Sequence, residues 1–193
     1  EGTRTIFGTY GRLLAGKQWN QPHEDDAASA EVICLDPFFS DASYRVAAVG
    51  SKAGVPVVTV DCLYDEPMLE HVSAVVIAES FLRENYPEHS LDDIFRRYQD
   101  STPGLVIFTF GAAGIRYARP GETAKSSQPR PVQAIDTSGA GDSFRAGIVY
   151  GFLKQWGDLK MIEFASALAA LVCTRSPGVL NSPNLDEVTD FMR

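Results

Sequence analysis

Four short apolar runs set the terms on which this chain can fold. Val32-Ile33-Cys34-Leu35, Val57-Val58-Thr59-Val60, Ala74-Val75-Val76-Ile77 and Leu105-Val106-Ile107-Phe108-Thr109 are continuous rather than alternating. That is the pattern of strands covered on both faces. Helical stretches separate them. One is predicted from Ser40 to Ala53, with Val46, Ala47, Val49 and Gly50 facing inward, Gly54 closing it and Pro56 preventing its continuation. A short helix is predicted from Glu66 to His71 and another from about Leu91 to Gln99. This βαβ alternation predicts an α/β fold.

The stretch Ala134-Ile135-Asp136-Thr137-Ser138-Gly139-Ala140-Gly141-Asp142-Ser143-Phe144-Arg145-Ala146-Gly147 carries the chemistry. It reads as a strand tail, a turn of small residues, and a helix whose apolar positions Phe144, Ile148 and Phe152 share one face. Gly139, Ala140 and Gly141 have almost no side chain, so N–H groups at the helix start are left open. With the positive end of the helix dipole they form a site for an anion. Asp142 places a carboxylate beside that anion, which is electrostatically awkward unless the carboxylate has work to do. The plainer reading makes Asp142 a residue that favours a helix N-terminus and the glycines a turn.

Asp136-Thr137-Ser138-Gly139-Ala140-Gly141-Asp142 resembles the DTxGAGD motif of the ribokinase-like sugar kinases, the PfkB carbohydrate kinase family. The resemblance implies a three-layer α/β/α sandwich with a mostly parallel central sheet. It implies that Asp142 is the general base and that the amides of Gly139, Ala140 and Gly141 hold the phosphoryl group in transfer. Thr109-Phe110-Gly111-Ala112-Ala113-Gly114 resembles the family's TxGxxG turn along the nucleotide, making Thr109, Gly111 and Gly114 nucleotide candidates. Ser166 falls where relatives often carry a polar residue near adenine; a serine bonded to its own helix backbone is the equal alternative. Asp136 corresponds to an aspartate near a monovalent cation such as K⁺, or it is purely structural. The family's N-x-x-E segment, which helps organise magnesium and phosphate, is altered: Ala78 and Phe81 stand for the asparagine and glutamate, with Glu79 the nearest carboxylate.

At 193 residues the chain suits one domain, and no repeat or linker marks a second. Its net charge of −8 argues against nucleic acid or an anionic membrane as main partner. Cys34, Cys62 and Cys173 are odd in number and set among apolar residues, so they read as buried thiols in a reducing, cytoplasmic compartment. No apolar run is long enough to span a membrane. Glu1-Gly2-Thr3-Arg4-Thr5-Ile6 resembles an internal piece of the family. This implies an upstream segment supplying the first strands, much of the sugar pocket and most of the lid, and a poorly active 193-residue piece. Residues 1–12 are then a remnant of the lid or of an edge strand.

In chain order, Thr3 to Tyr10 reads as a strand, and Leu13 to Ala30 as irregular with at most one helical turn. His23 reads as an exposed loop histidine. Asp36 and Asp61 end two strands, where open α/β sheets bind ligands, but helix caps are equally common there. Arg116 to Gln133 reads as a hairpin or loop. Val132 to Ile135 returns to the sheet edge. Asp158 is the expected N-cap of a buried helix through Cys173, and Asn184 or Asp186 that of a terminal helix.

The sequence therefore predicts an ATP-dependent phosphotransferase acting on a hydroxyl of a sugar or sugar-like molecule, with magnesium bridging the phosphates mainly through water, and with room for a homodimer. A nucleotide-binding or regulatory module without transfer is the alternative. A Walker A loop is absent, and so is the glycine loop of a dinucleotide-binding dehydrogenase.

Overall fold

The βαβ alternation is present in the computed structural model, which describes residues 23–193. The helices are α1 (Glu24–Ser29), α2 (Ser40–Lys52), α3 (Glu79–Asn85), α4 (Leu91–Ser101), α5 (Ala140–Leu153), α6 (Asp158–Cys173) and α7 (Leu185–Met192). The strands are β1 (Ile33–Cys34), β2 (Val57–Val60), β3 (Ala74–Ala78), β4 (Leu105–Thr109), β5 (Ile115–Ala118) and β6 (Lys125–Ser127). Between β2 and β3 the expected short helix is a 3₁₀ helix, Pro67–His71. The strand expected from Thr3 to Tyr10 and the segment 1–12 lie outside the described residues.

The strands pair in chain order, β1 through β6. The first four are parallel; β5 and β6 return antiparallel as the hairpin expected within 116–133. Parallel neighbours laid down in one direction with right-handed crossovers put every crossover helix on the same face. Accordingly Ala27 of α1, Ala47 of α2, Leu82 of α3, and Ile94, Phe95 and Tyr98 of α4 share one core with Val57, Val75, Val106 and Phe108. The opposite face is left for α5 and α6. There Phe144, Ile148, Met161, Ile162 and Ala165 pack on Val58, Val76, Ile107 and Tyr117. The result is the three-layer α/β/α sandwich. Burying each large apolar side chain is worth about 1.5–3 kcal/mol, and both faces of every central strand contribute.

Helices α5 and α6 pack unusually close. A Cβ on Gly147 would stand 2.5 Å from Ala165 Cα, so only glycine allows this approach. Midway along α6 a small outer core forms, in which Phe164 and Ala167 meet Val188 of α7. Asn184 caps α7 through a full capping box with Glu187.

Three expectations are corrected. Residues 132–135 form no strand; the N–H groups of Ile135 and Asp136 instead donate to the Cys173 carbonyl, at 2.8 and 3.2 Å, tying the segment to the end of α6. Asp158 is not the N-cap, which is Gly157; its carboxylate takes both Arg119 donors, at 2.8 and 2.9 Å, and locks α6 to the end of β5. Cys34 is exposed and Cys173 half-buried, because strand alternation turns Ile33 onto α2 and so turns Cys34 to the other face at the sheet rim. Cys62 is the buried thiol, and burial pushes it up to about 12.

Gly147→Ala is expected to lower stability by about 1–3 kcal/mol, the usual cost of overpacking, despite alanine's better helix propensity. Urea unfolding of the two proteins measures this; equal midpoints would show that the two helices do not approach this closely.

Candidate active site

Strands β1 to β4 run the same way, so the residues after them lie along one rim of the sheet. Asp36 follows β1, Asp61 follows β2, Glu79 follows β3, and the Phe110–Gly114 turn follows β4. The N-terminus of α5 arrives at the same rim. Its N-cap, Gly139, is left-handed at φ 79°, a conformation that glycine adopts without a steric penalty. Asp136 anchors the turn: its Oδ1 accepts the Ser138 N–H at 2.9 Å, an Asx turn. The Ser138 and Gly178 N–H groups hold its carboxyl below the usual carboxylate range.

The small-residue turn differs in one detail from expectation. The Ala140 N–H donates to the Thr137 carbonyl at 3.2 Å and is engaged in the turn itself. Among the described residues, the N–H groups of Gly139, Gly141 and Asp142 form no such bond, while that of Ser143 closes the first helical hydrogen bond, to Gly139, at 2.9 Å. The open donors are thus Gly139, Gly141 and Asp142, the last of which the motif alone did not suggest.

Asp142 points away from the core, with 75 % of its side chain exposed. Its Oδ1 lies 3.4 Å from Arg145 Nη2, and Arg145 Nη1 lies 3.9 Å from Asp36 Oδ2. Asp36 and Asp61 both act as backbone acceptors: Asp36 for the Phe38 N–H at 3.1 Å, Asp61 for the Ala78 N–H at 2.8 Å. Burial pushes the Asp61 carboxyl above the usual range. The Ala78 N–H and Arg145 oppose that shift, and Asp36 and Asp142 add to it. The structure therefore gathers Asp36, Asp61, Asp142 and Arg145 at one rim. Arg145 was not singled out in the sequence, although its place three residues after Asp142 on a helix puts the two side by side.

The nucleotide candidates form a second group. Thr109 ends β4, and Gly111 and Gly114 both have positive φ, 56° and 124°. A Cβ on Gly114 would meet Gln128 Nε2 at 2.8 Å, and Gln128 in turn lines a cavity of about 180 Å³ with Ser127, Arg130, Glu163, Ser166 and Ala167. Ser166 is buried and lines this cavity. Glu79 pairs with Arg83 at 2.6 Å. It lines a separate cavity of about 410 Å³ with Leu82, Tyr86, His89 and Phe110, on the α3–α4 side. His23 is exposed at the start of α1.

Fold and rim geometry together describe a class, the open α/β sandwiches whose ligand crevice lies at the carboxyl ends of parallel strands. The chain belongs to the pfkB family of carbohydrate kinases, whose sequence profile matches residues 2–185. It is 30 % identical over 115 residues to a 5-dehydro-2-deoxygluconokinase of Geobacillus thermodenitrificans, a match covering 58 % of this chain and 34 % of that protein. Among solved structures, it superposes on a candidate ribokinase of Agrobacterium tumefaciens with a TM-score of 0.82 at 20 % identity, over 92 % of this chain and 60 % of the other. It superposes on an Arabidopsis thaliana ribokinase complexed with ribose and ATP with a TM-score of 0.77 at 21 % identity, over 88 % and 58 %. The chain thus spans about a third of the curated relative and three fifths of the solved ones. Among the described residues no helix is long and apolar enough to cross a membrane.

The raised Asp61 carboxyl gives a pH-dependent stability. The folded state binds the Asp61 proton more tightly than the unfolded chain, so stability falls as pH rises from about 3.9 through the raised value. Asp61→Asn, which keeps an acceptor for Ala78, is expected to raise the melting temperature at neutral pH. The gain should shrink below that window; a gain independent of pH would contradict it.

Proposed function

We propose that the protein transfers the γ-phosphoryl group of ATP to a hydroxyl of a sugar or sugar-like small molecule. Membership of the carbohydrate kinase family supports this, and the carrying observation is the exposed Asp142 carboxylate beside three open amides at the sheet rim. Asp142 takes the proton of the acceptor hydroxyl as its oxygen bonds to the γ-phosphorus. The bond from that phosphorus to the β,γ-bridging oxygen breaks, and ADP carries the leaving electron pair. Preorganised N–H groups of Gly139, Gly141 and Asp142 receive the charge that spreads over the transferred oxygens. The nucleotide extends from there past Thr109, Gly111 and Gly114, with its base toward the Ser166 cavity.

Magnesium fits this site only as a companion of ATP. Among the described residues no three His, Cys, Asp or Glu side chains gather to hold a metal, and Glu79 is committed to Arg83. Bound together with ATP, the ion would supply charge neutralisation of the phosphates. The relatives named above are kinases of a sugar acid and of ribose, and the substrate of the whole protein is proposed no more narrowly than their common class. The second reading, a nucleotide-binding module without transfer, is favoured by Ala78 and Phe81 in place of the asparagine and glutamate.

Two outcomes test the reading on the protein expressed from its complete coding sequence. Asp142→Asn should lower turnover by about 10²- to 10⁴-fold, the range for loss of a positioned base, and leave ATP affinity nearly unchanged. Equal loss of binding and turnover would remove Asp142 from the base role, and ATP binding without transfer to any of a panel of sugars would favour the second reading. Ser166→Phe should weaken ATP binding at least tenfold, about 1.4 kcal/mol, when measured well below its melting temperature, which overpacking of this buried position lowers. Unchanged ATP affinity by calorimetry would place the base elsewhere.

A further inference from the structure

We propose that Arg145 is a positioning residue: tethered by Asp36, it holds the Asp142 carboxylate in the orientation from which it takes the acceptor proton. This rests on the phosphotransferase reading above. A carboxylate on the first turn of a helix, three-quarters exposed, is free to turn about two side-chain torsions unless something holds it. Among the described residues, the side-chain group that meets Asp142 is Arg145, at 3.4 Å. Arg145 is itself largely covered, 20 % exposed, and its second nitrogen faces Asp36 at 3.9 Å. Asp36 is fixed in turn, for its carboxylate accepts the Phe38 N–H and its carbonyl accepts the Ser43 hydroxyl at 2.6 Å. The chain of contacts runs from the end of β1 and the start of α2, through Asp36 and Arg145, to Asp142.

Its looseness suits the work. The structural pair in the same protein, Arg119 with Asp158, closes at 2.8 and 2.9 Å with two donors on one carboxylate. Arg145 instead divides two nitrogens between two carboxylates at longer range, which fixes direction while leaving Asp142 able to accept a proton. Charge adds to geometry. Arg145 stands between the Asp36 and Asp142 carboxylates, and all three bear on the Asp61 carboxyl nearby. Without that cation Asp36 and Asp142 repel, and the Asp142 carboxylate loses the group that fixes its direction.

Misplacing a catalytic group by about 1 Å costs on the order of 10²-fold in rate. In the complete protein, with an acceptor taken from the sugar panel, Arg145→Gln should lower kcat about 10- to 100-fold, while ATP affinity by calorimetry stays within about threefold. Arg145→Lys should recover part of the loss, because an ammonium restores the charge but not the two-directional fork. Asp36→Asn should lower kcat in the same direction by a smaller factor, with ATP affinity again unchanged. A wild-type kcat in Arg145→Gln overturns the assignment. So does a loss shared equally by kcat, ATP affinity and melting temperature with no recovery in Arg145→Lys, which marks a merely structural arginine. If the wild-type protein binds ATP but phosphorylates no acceptor, the transfer reading falls and this assignment falls with it. If wild-type transfer is robust and Arg145→Gln matches it, this assignment alone falls.

Discussion

Everything at the rim depends on where the positive end of α5 is held. A helix N-terminus in water is a weak attractor of anions, screened and free to move. Here it is fixed from three sides. The close contact of Gly147 with Ala165 sets the height of α5 against α6. Phe144 and Ile148 seat it on the sheet. The Ile135 and Asp136 N–H groups tie the approaching chain to the end of α6, so the Asp136 turn delivers Gly139 at one place. Preorganisation of this kind gives open amides their value, because no reorganisation is left to be done when charge develops.

The same arrangement explains the distribution of acid along the rim. Strands that run parallel expose their carbonyl ends together, and the residues that follow must turn at once. Asp36 and Asp61 serve those turns by accepting backbone N–H groups, so each is a structural carboxylate before it is anything else. The consequence is a concentration of negative charge where α5 also brings Asp142. Arg145 stands within that concentration, between Asp36 and Asp142. The rim thus has two chemically distinct ends: small residues and a serine cavity toward Gln128, carboxylates and one guanidinium toward β1.

Much of this was legible before any coordinates. The continuous apolar runs identified β2, β3 and β4 almost to the residue, since a strand buried on both faces leaves no polar position to confuse the pattern. The turn chemistry of Gly139 to Asp142 marked the start of α5, and of the two caps read for α7, Asn184 or Asp186, the structure has Asn184. Less legible were features set by partners distant in sequence. Residues 132–135 are apolar enough for a strand, yet their backbone bonds to Cys173, some forty positions on. Asp158 has the composition of a cap, but Arg119 claims it. Cys34 reads as core because its neighbours are apolar, and only the direction of alternation on a two-residue strand shows that it faces outward.

By itself the sequence determined the local elements and the motif that names the family, because periodicity, turn residues and contiguous motifs are properties of neighbouring positions. Tertiary structure alone decided which carboxylates share a gap, which amides remain open and which cation stands between Asp36 and Asp142. The physical reason is that Coulombic and hydrogen-bonding geometry depends on separations of 3–4 Å in space, and residues 36, 142 and 145 acquire those separations only when the sheet and α5 have been assembled.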